Sequence, residues 1–133
     1  MKKSILLLSM LTLSNCVNID KYTSKYKDED WGSSKNYRMK IEDHLFDVAK
    51  NPLSVQILNI SKPKKTFVQN LKPSAIVEPF YPAWGVCVRW LGENSYGGLT
   101  ASTENFYIRN GSVLFQSESI TMKRFQPCLM KDD

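Results

Sequence analysis

The sequence holds one histidine, three cysteines, six glycines and six prolines in 133 residues. A single histidine leaves only His44 to serve a Ser-His-Asp arrangement or to supplement the cysteines as a metal ligand. No cysteine pair has the C-x-x-C spacing of a zinc site. No phosphate-cradling P-loop, dinucleotide glycine pattern or G-x-S-x-G elbow is present. No apolar run approaches the ~20 residues that cross a bilayer. Low glycine and proline exclude a collagen-like or low-complexity chain, and three cysteines exclude a disulfide-dense scaffold. Charge of neither sign dominates, with 18 basic against 13 acidic residues. That excess is too mild to point to nucleic acid. What remains, 42% hydrophobic and 23% charged, is the composition of one globular domain. Glu93 and Glu104 are the only carboxylate pair considered for general acid–base work, and no motif supports them. The chain reads as a non-enzyme without a cofactor.

The N-terminus has the layout of an export signal. Met1-Lys2-Lys3 is a basic n-region, and Ser4–Leu13 is an apolar h-region with Ile5, Leu6, Leu7, Leu8, Met10, Leu11 and Leu13. The chain beyond Cys16 is polar, so no stop-transfer pattern follows. Removal of Lys2 and Lys3 takes the basic count from 18 to 16 against 13 acids, a net charge of +3. Leu13-Ser14-Asn15-Cys16 resembles the lipobox of bacterial lipoproteins, with Asn15 where a smaller residue is usual. The resemblance implies cleavage after residue 15 and acylation of Cys16. It also implies sorting to the outer membrane, since Val17 is not the aspartate that retains such proteins at the inner membrane. The domain would then face the periplasm or the cell surface. Several acyl chains give stable anchoring at ~0.8 kcal/mol per buried CH₂. The rival reading is an ordinary cleaved signal in which Cys16 is incidental.

With Cys16 set aside, Cys87 and Cys128 remain. An exported chain meets an oxidising compartment. A Cys87–Cys128 disulfide would close a long loop and tie down the C-terminus; two separate buried thiols are the alternative.

Residues 16–35, rich in Asp, Lys and Ser, read as the lipidated cysteine and a flexible tether, with an r.m.s. reach of ~25 Å. The globular domain then spans 36–133. Tyr37, Ile41, Leu45 and Val48 recur at helical spacing and predict a helix over Asn36–Lys50. Asn36 or Ser34 caps it, Lys50 complements its negative end, and Pro52 stops it. His44 borders the apolar stripe and reads as a boundary histidine. Strands are predicted at Ser54–Ile60, Thr66–Gln69, Trp84–Leu91, Leu99–Arg109 and Ser112–Ser119. Leu71–Pro82, with three prolines, reads as a loop or edge segment. In Trp84–Leu91 the alternation places Trp84, Val86, Val88 and Trp90 on one face and Gly85, Cys87 and Arg89 on the other. Asn110-Gly111 signals a type I′ hairpin. The fold class is α+β: one N-terminal helix packed on a four- to five-stranded antiparallel sheet.

The run Trp84–Trp90 followed by Asn94-Ser95-Tyr96-Gly97-Gly98, together with Asn51–Val55, is similar to small lipoproteins of alphaproteobacteria that have no assigned chemistry. The resemblance implies a fold and not an activity. Arg89, Trp90 and Tyr96 are the candidate partner-binding residues, because Arg, Trp and Tyr are the types enriched in hot spots. The expected function is a membrane-anchored envelope module that binds a protein partner. The alternative is a small-ligand or inhibitor module whose pocket the Trp/Tyr cluster lines.

Overall fold

The computed structural model describes residues 19–69, 80–115 and 123–130. The signal segment, Cys16, the proline-rich stretch before Phe80 and the end of the last predicted strand lie outside the described residues. The elements are a short helix α1 (Ile19–Thr23), a 3-10 turn (Asp28–Trp31), the main helix α2 (Tyr37–Val48), a 3-10 turn (Pro52–Ser54) and β1 (Gln56–Ile60). They continue with β2 (Lys64–Gln69), β3 (Phe80–Glu93), β4 (Leu99–Arg109), β5 (Ser112–Phe115) and 3-10 turns at Lys123–Phe125 and Pro127–Leu129. The fold is α+β, and all strand pairings are antiparallel.

Helix α2 buries Ile41 and Leu45 against Val86, Val88, Phe106 and Ile108. Tyr37 packs at the margin, and His44 meets Phe106 edge-on at 6.0 Å. Val48 was expected on this stripe but is exposed, because the backbone turns extended at Ala49. Asn36 holds the N-cap position without a side-chain cap bond, in the left-handed region at φ 60°. Lys50 does not serve the helix end. Its Nζ donates to the carbonyls of Ser95 (3.1 Å) and Asn94 (3.5 Å) at the tip of the β3–β4 hairpin.

Strand β3 is the spine. It carries β4 on one side and both β1 and β2 end to end on the other. The β1–β2 edge slips register twice. One slip falls between Ile57↔Trp90 and Asn59↔Arg89; the other lies between Ile60↔Val88 and Lys64↔Gly85. At the second slip Ser61 N–H donates to the Cys87 carbonyl, and the Ser61 hydroxyl accepts from Cys87 N–H, both at 2.9 Å. A side-chain oxygen thus replaces a backbone acceptor while Lys62 and Pro63 bulge outward.

A loop or edge segment is expected at Pro82, and the residue sits inside β3 at a local edge. The ladder to β4 stops at Trp84↔Ile108, and the Pro82 carbonyl points past that end, where it accepts from the Arg109 guanidinium. The missing proline N–H therefore has no strand opposite it. At the far end of β4, Asn110 (φ 51°) and Gly111 (φ 79°) both take positive φ, as a type I′ turn requires.

The expected tether is folded onto the domain from Asp20 onward. Trp31 is 8% exposed and donates its indole N–H to the Thr66 carbonyl at 3.1 Å. Its ring meets Phe67 at 5.2 Å, and Phe67 meets Phe125 at 5.3 Å. Tyr26 donates to the Phe80 carbonyl, Trp84 donates to the Gly32 carbonyl, and Arg124 pairs with Asp20. Lys65 holds the exposed Asp28 carboxyl below the usual range through a hydrogen bond and its charge. The polar composition of this stretch hides two aromatic anchors, Tyr26 and Trp31.

The other face of the sheet is covered as well. Val68, Ala83 and Tyr107 form a second core with Tyr81 and Leu114. The C-terminal segment reaches this face with Pro127, which is buried. Burial raises the Tyr81 hydroxyl pKa, and the Arg109 charge over its ring, at 4.8 Å, opposes that shift. No described helix is long and apolar enough to cross a membrane.

Candidate functional site

Alternation along β3 sends Gly85, Cys87 and Arg89 to the face opposite α2. There the C-terminal segment crosses the sheet, and Cys87 and Cys128 stand at bonding distance with Cα atoms 4.7 Å apart. Two contacts fix the crossing. Cys128 N–H donates to Asn105 Oδ1 at 2.7 Å, and Lys64 Nζ donates to the Met130 carbonyl at 3.1 Å. Asn105 faces Cys87 directly across the β3–β4 ladder and is buried, so the amide that receives Cys128 is itself held in the sheet.

Between this segment and the bulged edge lies a half-open groove of about 600 Å³. The sulfur pair and Pro127 form part of its wall. Its polar and charged walls come from Asn59, Ser61, Lys62, Lys64, Arg89 and Thr103. Asn59, Arg89 and Thr103 are cross-strand partners, so they form one lateral row over β1, β3 and β4. The cleft lies at the second register slip, whose residues Ile60 to Lys64 form one of its sides.

The three candidate partner residues do not meet on one surface. Arg89 lines the groove. Trp90 points to the α2 face, packs against the main core and donates its indole N–H to Glu104 Oε2 at 2.8 Å. Tyr96 is 98% exposed at the hairpin tip. That tip is organised by Asn94, whose Oδ1 accepts from Tyr96 N–H and Gly98 N–H. Neither Trp84 nor Trp90 lines the groove. The two glutamates have separate structural roles: Glu104 receives Trp90, and Glu93 receives the Asn51 amide at 2.9 Å.

Sequence reasoning placed Arg89 and Cys87 on one face but missed Asn59, Lys62 and Thr103. Their proximity depends on two register slips, and only Pro63 in the basic Lys62–Lys65 stretch hinted at one. No family model matches the chain, and no curated protein or solved structure matches it.

Proposed function

We propose that this chain is an envelope lipoprotein: Cys16 is acylated, and the α+β domain acts at the membrane surface as a non-enzymatic protein-binding module. The lipobox-like Leu13–Cys16 supports the anchor. The observation that carries the reading is the Cys87–Cys128 pair at bonding distance. Such a pair suits an oxidising compartment, which is where the N-terminal signal would send the chain. The partner surface in this reading is the hairpin tip, with Tyr96 as its exposed aromatic, and the sheet face that carries Arg89. Trp90 supports that region from beneath instead of touching a partner.

Labelling cells with a fatty-acid analogue tests the anchor. Wild type takes the label and Cys16→Ala does not; equal labelling of both refutes it. A photo-crosslinking side chain placed at Tyr96 in intact cells tests the module. Adducts at Tyr96 that are absent when the same group replaces Met39, an exposed residue on α2, support a partner at the tip. Identical adduct patterns at both positions refute it.

A further inference from the structure

We propose that the groove beside the Cys87–Cys128 pair binds a phosphate group. This does not rest on the reading of the N-terminus. The described residues that line it include three cations, Lys62, Lys64 and Arg89, and no carboxylate. Neither Lys62 nor Arg89 takes part in an ion pair among the described residues. The nearest cross-strand partners of Arg89 are Asn59 and Thr103, a neutral amide and a neutral hydroxyl. Strands ~4.8 Å apart make this row about 10 Å wide, with the guanidinium at its centre. Ile60, Pro63, Pro127 and Met130 supply apolar walls. A cleft lined by charge of one sign with apolar walls concentrates its field and draws in counter-ions.

The donor set selects among anions. A guanidinium fork alone satisfies a carboxylate, which carries one negative charge. Here the fork is joined by the Asn59 amide, the Thr103 hydroxyl and Lys62. Lys64 is already engaged, with the Met130 carbonyl among its partners, so Lys62 and Arg89 are the cations that face an anion. Two positive charges and two neutral donors match the oxygens and the double charge of a tetrahedral phosphate. That phosphate has two possible sources, a soluble phosphate ester or a phospholipid headgroup, and the chemistry at the groove is common to both.

The test is an amide-shift titration of the isotopically labelled whole chain with inorganic phosphate, followed at Ser61, Lys62, Arg89 and Thr103. A variant carrying Asp132→Asn and Asp133→Asn is titrated in parallel, because these acids follow Met130 closely in sequence. The expected result is saturable shifts at the groove residues of the native chain, with the variant binding at least as tightly. Arg89→Gln weakens binding at least about tenfold, the loss expected for a hydrogen bond between charged groups. Arg38→Gln, which removes a cation paired outside the groove, leaves the affinity unchanged. Soluble dihexanoyl phosphatidylglycerol then separates the sources: binding tighter than inorganic phosphate assigns a lipid headgroup, and weaker or equal binding assigns a soluble phosphate. Shifts that persist in Arg89→Gln, fall equally in Arg38→Gln, or never appear in the native chain overturn the proposal.

Discussion

Replacing Gly85 with alanine isolates the contact that seats the C-terminal segment on the sheet. An added Cβ would stand 2.6 Å from Thr66 Cγ2, 3.1 Å from Thr66 Oγ1 and 3.2 Å from Pro127 Cγ. In an unobstructed strand, glycine to alanine stabilises by about 0.4–1 kcal/mol through reduced freedom of the unfolded chain. Here sterics reverse the sign, because carbon pairs prefer about 3.5–4.0 Å. Thr66 is fully buried, and its hydroxyl donates to the Ala83 carbonyl at 2.7 Å, so rotating it away breaks that bond. Overpacking of this kind costs about 1–3 kcal/mol, and a 2.6 Å approach belongs at the upper end, so the net loss after that gain is about 2 kcal/mol. Thr66→Ser removes Cγ2 and keeps the hydroxyl; alone it loses about 1 kcal/mol for the missing methyl. In the double variant the new Cβ takes the vacated space. Its stability should fall within about 1 kcal/mol of wild type, a coupling of about 2 kcal/mol between neighbours. Urea unfolding followed by tryptophan fluorescence measures all four corners of the cycle. Additive losses in the double variant, or a Gly85→Ala protein as stable as wild type, would refute the close approach of β2, β3 and Pro127.

Other perturbations read other parts of the fold. Trp31→Ala should cost about 3–5 kcal/mol in the same unfolding assay, the range for deleting a buried aromatic; a loss below about 1 kcal/mol would mean the segment before α2 is not docked. Leu45→Asp buries a carboxylate at a site 1% exposed, at a cost comparable to the whole stability of a small domain. A cooperative near-ultraviolet melt close to that of wild type would overturn the assignment of the α2 face. Cys128→Ser opens a loop spanning 41 positions and should lower stability by about 4 kcal/mol in the chain-entropy model. Alkylation of the exported protein without reduction, followed by mass spectrometry, reports the bond directly: modification of both Cys87 and Cys128 would show that they are free thiols.

Periodicity carried the fold class because both of its periods sit on well-buried elements. Ile41 and Leu45 on α2, and Val86 and Val88 on β3, are the residues with the strongest pattern, and they form the main core. Asn110-Gly111 was legible because a type I′ turn needs two positive φ values that few other pairs supply. Pro82 meets the edge half of the loop-or-edge expectation, although it sits inside a strand. The rule against proline in central strands concerns the N–H, and β3 outruns β4 at that point, so no N–H is needed. The segment before α2 was misread because composition averages over residues: Tyr26 and Trp31 are scattered among charges, yet each finds a specific partner in the sheet. The candidate site was least legible. Arg89, Trp90 and Tyr96 are near neighbours in sequence, but pleating sends the first two to opposite faces and the hairpin carries the third to the tip. The groove residues come from β1, the β1–β2 bulge, β3, β4 and the C-terminus, and no local pattern records their register.

Docking of the chain from Asp20 changes what an anchor at Cys16 would do. A 19-residue coil would have let the domain roam some ~25 Å from the bilayer. Four residues from Cys16 to Asp20 span at most about 14 Å when fully extended. Asp20 pairs with Arg124, and the adjacent Phe125 packs on Phe67, the partner of Pro82 in the β2–β3 ladder. An acylated Cys16 would therefore hold the Pro82 end of β3 beside the membrane. The opposite end of β3 is Glu93, eleven residues on, about 36 Å away at strand rise, and it carries the Asn94–Gly98 turn with Tyr96 exposed. In that orientation Tyr96 would meet a partner that approaches from the aqueous side. Arg89, seven residues from Pro82 and four from Glu93, lies about 23 Å along the strand from the membrane end, nearer the tip than the headgroups, so this orientation favours a soluble phosphate over the anchoring bilayer's own lipids.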